Sequence, residues 1–285
     1  MLPWGVGDVV GGQYTIRKQL GLGGMSSVWD AYDQLMQRPV ALKTSLDRAT
    51  SAMLVTHEAR ALAAVRHPGL PVPLTVGCHD RWTFLALERL FGVTIEDRLE
   101  SPGPGKQAFP IAEAVRILIA IADVLVAVHA AGMAHHDVKP GNVMLCAGER
   151  VVLLDFGIML PEVIAADADV SGTPRYLAPE VVLEALQPGQ ARLVDIYAFG
   201  VMAFEMLAGK PPFHSTDFDV LMNLHAYEPV PDLLSQRGDV PVALADLVDA
   251  CLAKSPSDRP STIDQVLWEL RAVEVRARRR RSTTL

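Results

Sequence analysis

Short β-patterned runs crowd into the first 87 residues of this chain, and helical periodicity governs most of the remainder. Such a segregation of strands from helices belongs to an α+β architecture. The runs Tyr14 to Leu20, Ser27 to Tyr32 and Pro39 to Lys43 are separated by Gly-rich or polar turns and predict a small antiparallel sheet. Between Thr50 and Arg66 the apolar residues Leu54, Ala61, Leu62 and Val65 fall at helical spacing, and the helix is expected to stop before His67-Pro68-Gly69. Strand-like runs at Leu74 to Cys78 and Trp82 to Leu87 complete a first lobe over 1–87, and 88–92 reads as a connector. Helices are then expected over Val115 to Ala131, Leu193 to Ala208, Asp217 to His225, Val242 to Leu252 and Ile263 to Ala277, with a short hairpin from Val143 to Leu145 and Val151 to Leu154. A chain of 285 residues exceeds the usual single core, so one large domain or two packed lobes with a cleft is expected, the second lobe then covering 93–275.

Half of the residues are hydrophobic and 21% are charged, which describes a well-buried protein. The stretch from Ala114 to Ala134 is apolar enough to suggest a membrane span, but it contains Arg116, Asp123 and His129. A charge at the centre of a span costs about 2.5 to 3.5 kcal/mol, so a buried core helix is expected and no membrane span. Cys78, Cys146 and Cys251 form no C-x-x-C pair, which supports neither a disulfide framework nor a zinc site and points to a cytoplasmic setting. Residues Met1 to Gly12 lack the basic and apolar regions of a signal peptide. The net charge of −7 argues against nucleic acid as a partner. Against this trend, Arg276 and Arg278 to Arg281 make a basic tail over 276–285, read as a solvated helix end with a weak anionic contact as the sharper alternative.

The chemistry gathers at a few short segments. Gly21, Gly23 and Gly24 lie in Gly21-Leu22-Gly23-Gly24-Met25-Ser26, between two predicted strands. A dinucleotide fingerprint needs a helix there, whereas a glycine-rich hairpin folds over nucleotide phosphates and offers backbone N–H donors. In Val40-Ala41-Leu42-Lys43, alternation puts Ala41 and Lys43 on one face: a small residue leaving room for a flat ring, beside an ammonium able to reach phosphates. Glu58, on the following helix, is the expected partner of Lys43. Further on, His135-His136-Asp137-Val138-Lys139-Pro140-Gly141-Asn142 follows the long apolar helix, and Asp155-Phe156-Gly157 follows the strand Val151 to Leu154. Asp137, Asn142 and Asp155 thus bring hard oxygen donors, suited to Mg²⁺, to short connections beside one hairpin. His135 and His136 suggest a transition-metal site, but no third imidazole or thiolate stands at suitable spacing.

Taken in order, these segments resemble the eukaryotic-type protein kinases, in their bacterial Ser/Thr branch, from about Tyr14 to about Val273. The resemblance rests on the glycine-rich loop, Val40-Ala41-Leu42-Lys43, Glu58, the loop from Asp137 to Asn142, Asp155-Phe156-Gly157 and Ala178-Pro179-Glu180. It implies a bilobal fold, with a small antiparallel sheet and one main helix followed by a larger, mostly helical lobe, and a reaction that moves the γ-phosphoryl group of Mg-ATP to protein hydroxyls. Lys43, held by Glu58, would bind the α and β phosphates; Asn142 and Asp155 would hold Mg²⁺; Asp137 would accept the hydroxyl proton, with Lys139 countering charge on the transferred group. Adenine would lie among Leu20, Val28, Ala41 and Met144, bonded to backbone near Glu88 and Leu90, and Asp97 would meet the ribose. Asp195-Ile196-Tyr197-Ala198-Phe199-Gly200 resembles the helix start that braces the catalytic loop, and Arg259 the arginine that pairs with Glu180.

Two departures stand out. Ser26 occupies the place of the loop's third glycine and is still small. His136 replaces an arginine that in many members of the family grips a phosphorylated activation loop. A neutral histidine cannot make that bidentate pair, so activity is expected to depend less on phosphorylation of the segment from Ile158 to Leu177, whose hydroxyl residues besides Tyr176 are Ser171 and Thr173. Thr173 is read first as a structural partner of Asp137 and Lys139. Ser282, Thr283 and Thr284 are candidate autophosphorylation sites. Two other functions fit parts of the pattern. A small-molecule phosphotransferase would lack the peptide platform from Gly172 to Glu180; a pseudokinase acting as a binding module would be expected to lack one of Lys43, Asp137, Asn142 and Asp155, and all four are present.

Overall fold

The computed structural model describes residues 3–23, 26–101, 108–155 and 174–282. They fall into two compact units, one ending at Gly92 and the other starting at Val93.

The first unit contains β1 (Val9–Val10), β2 (Tyr14–Leu22), β3 (Ser26–Asp33), β4 (Arg38–Ser45), α1 (Arg48–Ala64), β5 (Pro73–His79) and β6 (Trp82–Glu88). The strands make one antiparallel sheet in the order β1-β2-β3-β4-β6-β5. The alternation read from β4 holds in space. Val40 and Leu42 join Trp4, Tyr14, Ile16 and Trp29 in a cluster on one face, so Ala41 and Lys43 fall on the other. Within the cluster the Trp4 ring lies 6.4 Å from Trp29, tilted, and 6.1 Å from Phe84, edge-on; an edge-on pair adds about 0.5–1.5 kcal/mol beyond the area it buries. Gly77 pairs across the sheet with Phe84, and a Cβ there would lie 2.4 Å from the phenyl ring, so the aromatic core needs glycine at this place. Helix α1 starts where the Asp47 side chain accepts from Ala49 N–H at 3.0 Å. It ends four residues before Pro68 and packs on β4, β5 and β6.

The second unit begins with β7 (Gly92–Thr94), whose first residue closes the first unit, and continues through α2 (Ile95–Glu100), α3 (Ile111–Ala130), β8 (Val143–Cys146), β9 (Val151–Leu153), α4 (Pro179–Val182), α5 (Ala191–Ala208), α6 (Phe218–Tyr227), α7 (Leu233–Gln236), α8 (Val242–Cys251) and α9 (Ile263–Ser282). The expected hairpin of β8 and β9 forms, with Val143 opposite Leu153 and Leu145 opposite Val151, and β7 adds to it. Helix α9 continues past Ala277 to Ser282, so Arg276 and Arg278 to Arg281 lie on it. No described helix is long and apolar enough to cross a membrane. In α3, the polar residues that interrupt the apolar run tie it to its neighbours. Arg116 donates to the Glu149 carbonyl in the β8–β9 turn at 3.2 Å, Asp123 meets Arg271 of α9 at 3.1 Å, and His129 meets Asp195 of α5 at 2.8 Å. Helices α5 and α8 approach closely at Gly200, where a Cβ would sit 2.8 Å from that of Cys251.

His225 at the end of α6 is fully buried between the rings of Phe213 and Tyr197, with its Nδ1 hydrogen-bonded to the Tyr197 hydroxyl at 2.9 Å. Burial, and after it the charge of Lys254, push its pKa from 6.5 down to about 4. Between these values the unfolded chain binds a proton that the folded chain refuses. The stability this neutral ring contributes is therefore complete above about pH 6.5 and is lost as pH falls towards 4, by up to about 1.4 kcal/mol per unit. Urea midpoints at successive pH values should fall over this window, and less steeply in His225→Gln; equal slopes would exclude His225 as the source.

Candidate active site

In the first unit, Lys43 Nζ lies 2.8 Å from both Glu58 carboxylate oxygens, donating to Oε1, with both side chains buried. The pair forms because β4 turns Lys43 towards α1, which presents Glu58. Ala41 is buried beside it, Val28 is half-buried and Leu20 exposed. Gly21 belongs to β2 opposite Val28, just after a bulge, and Gly23 N–H donates to the Ser26 carbonyl at 2.8 Å; Gly24 lies outside the described residues. Glu88 and Val72 are joined both by backbone, at 3.0 Å, and by the Glu88 carboxylate accepting from Val72 N–H, also at 3.0 Å. The Leu90 carbonyl accepts from Arg89, whose guanidinium also pairs with Asp30 at 2.8 Å. Sequence alone gives no sign of that ion pair, since its members stand 59 residues apart.

The second unit carries the loop from His135 to Asn142. Its anchor is Asp195, fully buried at the first turns of α5. The carboxylate accepts from the backbone N–H groups of His135 and His136, each at 2.7 Å, and meets His129 Nε2 at 2.8 Å. Burial works to raise the Asp195 pKa, but the hydrogen bond to His129 and the histidines around it outweigh that and hold the carboxyl below its ordinary value. His136 has φ of +65°, a left-handed conformation that costs about 1–2 kcal/mol for most residues and is better tolerated by Asn, Asp and His. Its charge-assisted bond to Asp195 offsets that cost. Burial pushes the His135 pKa below its ordinary value, against the pull of nearby carboxylates, and its Nδ1 accepts the Asp137 N–H at 3.3 Å.

The Asp137 side chain is fixed on one side only. Its Oδ2 accepts from Lys139 Nζ at 2.8 Å and from Asn142 Nδ2 at 2.6 Å, while Oδ1 accepts no hydrogen bond from the described residues. Asn142 Nδ2 also donates to the Asp137 carbonyl at 2.9 Å, and the Asn142 carbonyl accepts from Leu154 N–H at 2.7 Å, which binds the loop to the end of β9. Asp155 follows with φ of +51°. Met144 is half-buried on β8. Asp97 closes the capping box of α2 with Thr94, through two bonds of 2.9 Å. Phe156, Gly157, Ser171, Gly172, Thr173, Thr283 and Thr284 lie outside the described residues.

Beyond the loop, Arg259 spends all five of its N–H donors: two on Glu180, both at 2.7 Å, and one each on the carbonyls of Ala253, Leu193 and Lys254. The Tyr176 hydroxyl donates to Glu205 of α5 at 2.5 Å, anchoring the turn before α4.

The family described as protein kinase domain matches residues 14–269. Serine/threonine-protein kinase PknA of Mycobacterium tuberculosis is 30% identical over 272 residues, 89% of this chain and 59% of PknA. The chain spans between 34% and 59% of the length of the first curated relatives it matches. Among solved structures, the Mycobacterium tuberculosis PknI kinase domain superposes with a TM-score of 0.69 at 25% identity, covering 95% of this chain and 99% of that one. Rad53 1-466 in complex with AMP-PNP gives a TM-score of 0.75 at 21% identity, over 90% of this chain and 64% of that one, a likeness of fold.

Proposed function

Because this chain belongs to the protein kinase family, we propose that it transfers the γ-phosphoryl group of ATP to serine and threonine hydroxyls of proteins. The observation that carries the reading is the Asp137 carboxylate, with Oδ2 fixed by Lys139 and Asn142 and Oδ1 without a hydrogen bond among the described residues, where an incoming hydroxyl would donate. Phosphoryl transfer asks little covalent work of a protein, so positioning and charge neutralisation carry the rate. Asp137 orients the hydroxyl and takes its proton. Lys139, already beside that carboxylate, supplies a positive charge next to the transferred group. Lys43 binds the α and β phosphates, and Glu58 keeps its ammonium in place.

ATP would bring the phosphoryl group, and Mg²⁺ the charge that neutralises its oxygens. Asn142 and Asp155 would hold Mg²⁺, and the donor set fits. The Asn142 amide is turned so that Nδ2 donates to Asp137, which leaves Oδ1 as its ligating atom. No group of three His, Cys, Asp or Glu side chains able to hold a metal occurs among the described residues, and Mg²⁺ ordinarily completes its shell with phosphate oxygens and water. Gly21, Gly23 and Gly24 would cover the phosphates, and Leu20, Val28, Ala41 and Met144 would contact adenine near the backbone of Glu88 and Leu90. Asp97, whose Oδ2 serves the cap, has Oδ1 for a ribose hydroxyl.

The test is transfer of label from γ-labelled Mg-ATP to a generic basic protein and to the chain itself. Serine and threonine phosphate is expected in both, abolished by a chelator and restored by Mg²⁺. A wild-type protein that binds ATP and transfers nothing would make it a nucleotide-binding module instead.

A further inference from the structure

The connector that leaves β6 is tied back to the sheet by one side chain. Arg89 follows Glu88, the last residue of β6, and donates through Nε to Asp30 Oδ1 of β3 at 2.8 Å. Both side chains are largely buried, at 13% and 14% exposure. Asp30 stands directly opposite Ala41 in the register of β3 and β4, and residues opposite one another on paired strands share a face of the sheet. The guanidinium therefore lies on the face that carries Ala41 and Lys43, at the edge of the place assigned to the flat ring of ATP. The Phe91 ring, with its centroid 4.7 Å from the guanidinium carbon, holds it from another side.

The same guanidinium changes what the connector offers to a ligand. Its Nη1 donates to the Leu90 carbonyl, whereas the Leu90 N–H donates to no group among the described residues. Leu90 thus presents a donor whose neighbouring acceptor is already engaged by a cation. A base that meets this edge must bring an acceptor for the N–H and no donor beside it. Adenine does so, because N1 accepts and C2 carries only hydrogen. An amino group at C2 would otherwise gain a hydrogen bond to the carbonyl; here it meets an occupied acceptor and a positive charge that repels a further N–H dipole. We propose that Arg89, held by Asp30, sets base specificity at this site and favours adenine over purines that carry an amino group at C2. The assignment rests on the reading of ATP at this site.

Calorimetric titration with ATP and with 2-amino-adenosine triphosphate, each with Mg²⁺, tests this. The wild type is expected to bind ATP at least as tightly as the 2-amino compound. Arg89→Met keeps much of the side chain's length but removes its charge and donors, and should shift the ratio of the two affinities about tenfold towards the 2-amino compound, the worth of one hydrogen bond regained. Asp30→Asn leaves the guanidinium without its counter-charge and should shift the ratio in the same direction by less. Misfolding cannot imitate either shift, since it removes binding sites for both nucleotides alike. A pair that only ties the connector to the sheet would leave the ratio where it is. An unmoved ratio in either variant, or a wild type that prefers the 2-amino compound, overturns the assignment. Wild-type protein that binds neither nucleotide removes the reading of ATP itself, and the assignment with it, an outcome distinct from an unmoved ratio.

Discussion

Asp137→Asn is expected to slow phosphoryl transfer by about 10²- to 10⁴-fold, the range in which a positioned proton acceptor contributes, while ATP affinity and the thermal midpoint stay where they are. Asparagine has the same shape, and its carbonyl oxygen still accepts from Lys139 or Asn142, so the loop keeps its form. What it lacks is the charge and basicity of the open oxygen. Initial rates at saturating Mg-ATP, with ATP binding measured separately, distinguish this from a general loss of the site. A variant that retains the wild-type rate would remove Asp137 from the chemistry.

Glu180→Ala acts on stability on a comparable scale. Arg259 is almost wholly buried, and its guanidinium is neutralised only by the Glu180 carboxylate within the set of bonds it makes. Removing one partner of a buried pair leaves an uncompensated charge, which costs about 3–5 kcal/mol, against a total stability on the order of 5–15 kcal/mol for a folded domain. The urea midpoint should drop accordingly. Replacing both residues by leucine or methionine should recover much of the loss, because the desolvation cost disappears together with the charge. An unchanged midpoint in Glu180→Ala would mean that water reaches Arg259.

The features legible in the sequence are local ones. The motif from Asp137 to Asn142 is contiguous, and its members bond to one another within five residues, so spacing alone announces a site. Strand β4 is legible because alternation over Val40 to Lys43 sorts four neighbours onto two faces. The pairs joining distant parts of the chain are not legible from the residues themselves. His129, inside an apolar helix, reads as a core residue, and its partner Asp195 is 66 residues away. β7 and α2, three and six residues long, are too short to show a period, although Thr94-x-x-Asp97 carries a capping signal. The continuation of α9 past Ala277 shows no apolar period, because the residues that carry it are arginines, yet arginine is among the better helix formers.

The Lys43–Glu58 pair holds the lysine of β4 through a carboxylate carried on α1, with both side chains buried. A protein that must first swing such a helix inward binds its ligand only through the fraction of molecules already in the competent form, and its apparent affinity is weakened by that fraction. Glu58→Gln removes the charge that holds Lys43 and is expected to lower the competent fraction in the same way. The apparent affinity for Mg-ATP, measured by calorimetry, should then fall; an unchanged affinity would mean that Lys43 keeps its place without Glu58.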